Sequence, residues 1–177
     1  MTPEQHVTAL LSEIDDPSRE GLTGTPERHV KFLREFTTPE PFKMTTFDAE
    51  GLDNVVLQTG IPFYSLCEHH LVPFFGTAAV AYIPSGRIVG LSKLARTVDT
   101  CARRLQNQER ITQQVADTLA HALNPDGIAV VLKARHLCME MRGIRKPGAV
   151  TTTSVMHGRF REDAAARAEL LTLIGQA

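Results

Sequence analysis

Residues 92–123, "SKLARTVDTCARRLQNQERITQQVADTLAHAL", carry two helical stripes in succession. Leu94, Val98, Cys101 and Leu105 recur at the spacing of one helix face, and Ile111, Val115, Leu119 and Leu123 repeat the pattern. Asn124-Pro125-Asp126-Gly127 then closes the pair with a strong turn signal. On either side the texture is that of strands. Residues 54–92 are β-branched and apolar, punctuated by Gly and Pro, and "TAAVAYIP" (77–84) and "RIVGLS" (87–92) flank Ser85-Gly86 as a hairpin would. Downstream, "GIAVVLKARHLCMEM" (127–141) reads as one long strand and "AVTTTSVMHGRF" (149–160) as its antiparallel neighbour. Residues 163–174 form a closing helix that ends at Gly175. Two further helices precede all of this: Thr2-Pro3-Glu4-Gln5 and Thr25-Pro26-Glu27-Arg28 each have a cap followed by Pro at the first helical position. Pro39, Pro41 and the polar stretch after them read as a connector. The expectation is a single α+β domain over residues 1–177, with an N-terminal helical part (1–50) and a core (51–177).

Composition narrows the function. The chain is 42% hydrophobic and 22% charged, with a formal net charge of −1, so no basic field points to nucleic acid. Three scattered cysteines, Cys67, Cys101 and Cys138, do not make a disulfide framework; metal-binding or buried thiols in a reducing compartment fit better. The N-terminus lacks the basic region of a secretory signal. The longest uncharged run, 71–86, is short for a bilayer and broken by Pro73, Gly76 and Pro84. A cytoplasmic location without membrane contact is the expectation.

"SLCEHHLV" (65–72) and "ARHLCMEMR" (134–142) hold the chemistry. Together they offer five donors: Cys67, His69, His70, His136 and Cys138. Zinc takes thiolate and imidazole, and a catalytic site keeps three protein ligands so that water can fill the fourth position. Cys67 and His70 are three apart, as a turn requires, and on a strand His136 and Cys138 would share a face. Taken singly, a cysteine or histidine is more often a buried small hydrophobe or a satisfied polar group. The joint pattern favours metal, and five donors leave imidazoles over for proton transfer. Cys101 belongs to the helical stripe and reads as core.

An anion site is the second candidate. Ser92, Lys93 and Arg96 stand at a strand-to-helix junction, where backbone N–H groups add to the cations, and Arg142 and Arg145 follow the second donor pair. Gln108 and Glu109 stand between the two central helices. Glu109 has the acceptors for a guanine edge, or it caps the second helix.

"EGLTGTPER", "PFYSLCEHHLVPF", "AYIP", "GLSKLAR", "RRLQNQERITQQ", "HLCMEMRGIRKPG" and "TTTS", in this order, resemble the GTP cyclohydrolase I family from about Arg19 to the C-terminus. The resemblance implies a T-fold, an antiparallel sheet packed against paired antiparallel helices, assembled as a homodecamer of two pentamers with active sites at subunit interfaces. It implies conversion of GTP and water to 7,8-dihydroneopterin triphosphate and formate, by water attack at C8 of the base with a histidine protonating the ring. Zinc would be held by Cys67, His70 and Cys138, with His69 and His136 as acid and base. Guanine recognition falls on Glu109 with Gln108, and triphosphate contacts on Ser92, Lys93, Arg96, Arg142, Arg28 and Lys31. Asn107 departs from the family, which commonly has an apolar residue there. The alternatives are a T-fold relative such as a 7-cyano-7-deazaguanine reductase, with Cys67 as nucleophile, and a non-catalytic nucleotide-binding protein with structural zinc.

Overall fold

A computed structural model describes residues 1–176. Contacts divide the chain into two units, Met1–Pro39 and the remainder from Glu40 onward. In the first, helices α1 (Pro3–Ser12) and α2 (Thr25–Thr37) pack on each other. Thr2 caps α1 in a reciprocal box: Gln5 N donates to Thr2 Oγ1, and Thr2 N donates to Gln5 Oε1 at 2.7 Å. The second helix starts one residue earlier than its sequence suggests. Thr25 is already helical and Gly24 takes the cap position without a side-chain bond.

The second unit runs β1 (Thr46–Asp48), β2 (Val56–Cys67), β3 (Pro73–Ile83), β4 (Arg87–Val89), α3 (Ser92–Ala102), β5 (Leu105–Gln106), α4 (Gln108–Leu123), β6 (Gly127–His136), α5 (Leu137–Glu140), β7 (Val150–Gly158), α6 (Arg159–Glu162) and α7 (Ala164–Gly175). The main sheet has the order β5-β2-β3-β6-β7, antiparallel except for the short parallel pairing of β5 with the end of β2. One face buries Phe63, Phe74, Val80, Val130 and Leu132 against Leu94 and Val98 of α3 and Ile111, Val115 and Leu119 of α4. On the other face α7 covers one end, through Leu170 on Ile83, Ala129 and Phe160. The α+β class, with an antiparallel sheet backed by a helix pair, is as expected for a T-fold.

Three sequence expectations change. The hairpin of β3 with β4 does not form. Strand β3 lies between β2 and β6, so both of its edges are taken, and β4 pairs instead with β1 from the stretch read as connector. Leu105 leaves the α3 stripe and is 44% exposed, because the helix stops at Ala102. The Gln106 side chain crosses the break and donates to Cys101 O at 2.8 Å, satisfying one of the carbonyls that a helix end leaves open. Finally, the long strand after Gly127 stops at His136, and Cys138 sits in a single helical turn. Among the described residues no helix is long and apolar enough to cross a membrane.

Candidate metal centre and active site

Cys67 ends β2, and the chain turns back at once. His70 N and Leu71 N both point at Cys67 O, at 3.3 and 2.8 Å, and Leu71 completes the turn with a φ of 54°. Cys67 is buried, while His69 and His70 face outward. Cys138 reaches the same place from the end of β6. The expected strand geometry, with His136 and Cys138 on one face, is replaced by α5. Met141 N closes that turn on Leu137 O at 3.0 Å, and Arg135 grips Glu140 with two bonds of 2.8 and 2.6 Å across it. The turn carries Cys138 back towards β2. Cys67, His70 and Cys138 thereby place one ligand atom each within 4.8 Å of one another.

This group fits zinc. Tetrahedral bonds of 2.0–2.3 Å set two ligands roughly 3.6 Å apart. Cys67 Sγ and His70 Nδ1 already stand 3.7 Å apart. The Cys138 thiol is pushed up first by burial and then by the neighbouring Cys67 sulfur, a penalty that a divalent cation between them relieves. Three donors leave a fourth position for water.

Two imidazoles adjoin the group. His69 turns Nδ1 to Cys67 Sγ at 3.7 Å and Nε2 to Glu68 Oε1 at 3.8 Å. His136 is half-buried and lies flat on Phe74, with ring centroids 4.7 Å apart and planes 5° from parallel. Burial lowers its pKa, and the Glu109 carboxylate opposes that shift. Its Nε2 is 2.8 Å from Gln108 Oε1. Glu109, next on α4, is exposed.

A family model described as GTP cyclohydrolase I matches residues 3–175. The chain belongs to the GTP cyclohydrolase I family. Among its relatives are GTP cyclohydrolase 1 of Brevibacillus brevis, 52% identical over 97% of this chain and 95% of that one. That of Streptococcus suis is 53% identical over the same shares, 97% and 95%. That of Mycolicibacterium gilvum is 55% identical over 93% of this chain and 85% of that one. A solved structure, that of the archaeosine synthase QueF-Like in the apo form, is a looser likeness: TM-score 0.49 at 18% identity, over 59% of this chain and 93% of that one.

For a GTP cyclohydrolase I, the remaining residues divide by position. Arg142 lies at the metal group, its Nη1 donating to His70 Nε2 at 3.1 Å. Ser92 and Lys93 begin α3, and Arg96 lies midway along it. The end of α3 that meets β2 is the other one, where Ser65 Oγ donates to Ala102 O at 2.7 Å. At 1.5 Å per residue, Ser92 stands about 15 Å further along the helix axis. There Lys93 Nζ lies 5.8 Å over the ring of Phe42. Arg28 and Lys31 are exposed on α2 of the N-terminal unit, and the Arg28 guanidinium donates to Gly21 O at 3.4 Å and Thr25 Oγ1 at 3.1 Å.

Sequence reading passed over a brace that ties the Cys67 turn to α4. Arg110 donates to both oxygens of Glu68, at 2.6 and 3.0 Å, and to Gln106 Oε1 at 3.2 Å. Asn107 adds a bond from Nδ2 to Glu68 Oε1 at 3.0 Å, while its Oδ1 caps α4 by accepting from Arg110 N at 2.8 Å. The cap of α4 is therefore Asn107 and not Glu109, which keeps the Glu109 carboxylate available. An asparagine just before a helical stripe was the signal available in the sequence.

Proposed function

We propose that this chain is a zinc-dependent GTP cyclohydrolase, converting GTP and water to 7,8-dihydroneopterin triphosphate and formate. The observation that carries the reading is the convergence of Cys67, His70 and Cys138. His69 and His136 stand beside that group, and Glu109 stands at the start of the adjacent helix. Bound by these three residues, zinc supplies Lewis acidity that activates water at neutral pH.

The chain's own groups do the rest. Glu109 accepts from two N–H groups of the guanine edge and so sets which base atom faces the metal group. His136, packed flat on Phe74, exchanges a proton with the imidazole ring of the base as it opens. His69, exposed on the turn, serves as the second acid and base for release of formate. Arg142 counters negative charge on the same side. Binding energy from the triphosphate, remote from the reacting carbon, holds the base in register. Of the residues fitted for that anion, Ser92 and Lys93 lie at the far end of α3 and Arg96 midway along it. A second copy of the chain is the natural source of them, which makes the enzyme a homo-oligomer with sites shared between subunits. Arg28 and Lys31 complete the proposed anion contacts.

The test is incubation of zinc-loaded protein with GTP, measuring formate and, after oxidation, fluorescent pterin. Both products are expected in equal amounts. Neither appearing from protein that contains zinc rejects the reading. Consumption of a nicotinamide with a deazaguanine nitrile would put a reductase in its place.

A further inference from the structure

Gln108 is 1% exposed at the first turn of α4, and every polar atom of its side chain is engaged. Its Nε2 stands 3.1 Å from Leu132 O, 3.1 Å from Thr151 O and 3.1 Å from Thr153 Oγ1. Its Oε1 stands 2.8 Å from His136 Nε2. Carbonyl oxygens only accept, so the end of the amide facing Leu132 and Thr151 must be the NH2 group. Exchanging the two ends would set an amide oxygen against two carbonyl oxygens in a buried place, an unfavourable contact. The hydroxyls agree with this orientation. Thr112 Oγ1 gives its hydrogen to Gln108 O at 2.8 Å. Thr153 therefore donates across the 2.6 Å contact to Thr112, and its oxygen is left to accept from Gln108.

The amide oxygen therefore faces His136, and it can only accept. His136 Nε2 must carry a hydrogen, so the neutral ring has its lone pair on Nδ1. We infer that Gln108 is a positioning residue, which fixes His136 as the Nε2–H tautomer and leaves Nδ1 as the atom that exchanges protons in the reaction. The sheet carbonyls of β6 and β7 hold the amide, the amide holds the nitrogen, and Phe74 holds the ring plane. Both amide N–H donors are thereby committed to protein. The base contact expected of Gln108 loses its donor half, and edge recognition falls to Glu109. The inference rests on His136 being an acid/base group of the proposed reaction.

Two measurements test it. In zinc-loaded enzyme with 15N-labelled histidine, at about pH 8 where an imidazole is neutral, His136 is expected to show a pyrrole-type Nε2 and a pyridine-type Nδ1. The reverse pattern overturns the inference, whatever the enzyme does with GTP. In Gln108→Met, kcat is expected to fall at least about tenfold, as for other lost orienting partners, with KM for GTP and zinc content unchanged and the two tautomers mixed in the spectrum. A raised KM with kcat intact makes Gln108 a base contact and overturns it equally. If Gln108→Met does not fold, the wild-type spectrum still decides. Absence of any turnover in wild type removes the proposed function while leaving the tautomer result standing, so the two failures are distinct.

Discussion

Cys101 and Cys138 are the same residue in opposite circumstances. Cys101 is packed between α3 and α4, and burial pushes its thiol up to about 11. At pH 8 a thiol of that pKa is ionised to about one part in a thousand. Cys138 lies half-buried on a surface turn, where burial and the neighbouring Cys67 sulfur raise its thiol and Arg142 partly opposes them, but unlike Cys101 it is reachable from solvent. With the metal removed by chelation, a thiol reagent is expected to label Cys138 and leave Cys101 untouched until denaturant is added. Cys101→Ala is expected to change neither the labelling of the folded protein nor its zinc content. Labelling of Cys101 at the rate of Cys138 would contradict this. The sequence already set these residues apart by spacing: Cys101 in an apolar stripe, where the structure buries it, and Cys138 two places from a histidine. The part played by Gln108 was not legible. It depends on which end of an amide meets which carbonyls, and Leu132 and Thr151 approach it only through the sheet.

At the scale of elements, the helix pair was readable because its stripes, Leu105 apart, are buried as a period of 3.6 requires. Strand pairing was less so. A hairpin signal at Ser85-Gly86 describes a local turn, and it does not say that β3 has already spent both edges on partners distant in sequence. The end of β6 was misread for a related reason: the ion pair of Arg135 with Glu140 that closes α5 is a local contact that periodicity does not report. The same crowding of strands explains Gly76. A Cβ built there would lie 1.9 Å from Lys133 O on the facing strand, far inside any contact distance. Gly76→Ala is therefore expected to force β3 from β6 and to destabilise the fold by at least about 2 kcal/mol, measured by urea unfolding. A change below a few tenths would mean that the strands separate freely there. Gly158 is under a similar constraint, with a φ of 56° and Asp126 O 2.1 Å from the position of a Cβ.

On the scale of the whole molecule, the proposed metal group and the proposed anion residues come from different elements of the chain. The metal group stands where β2 and β6 end, and the Lys93 and Arg96 cluster stands near the start of α3. The sequence carries both sets without distance, and the direction of α3 puts Ser92 and Lys93 at the end away from the Ser65 contact. Sharing a site between copies resolves this and gives a direct test. Lys93→Ala and Cys138→Ala are each expected to be inactive alone. After co-refolding in equal amounts, about one site in four combines two intact halves, so activity near that fraction of wild type should return. No recovery from a mixture shown to contain hybrid oligomers would place the whole site within one chain.

In the proposed site, Cys67, His70 and Cys138 hold one zinc ion while His136 works beside it without holding it. Zinc per chain, measured together with turnover of GTP in wild type, Cys138→Ala and His136→Ala, tests this most directly. One zinc per chain with turnover is expected in wild type, loss of both in Cys138→Ala, and full zinc without turnover in His136→Ala. Equal loss of zinc from both variants, or full zinc in Cys138→Ala, would contradict it.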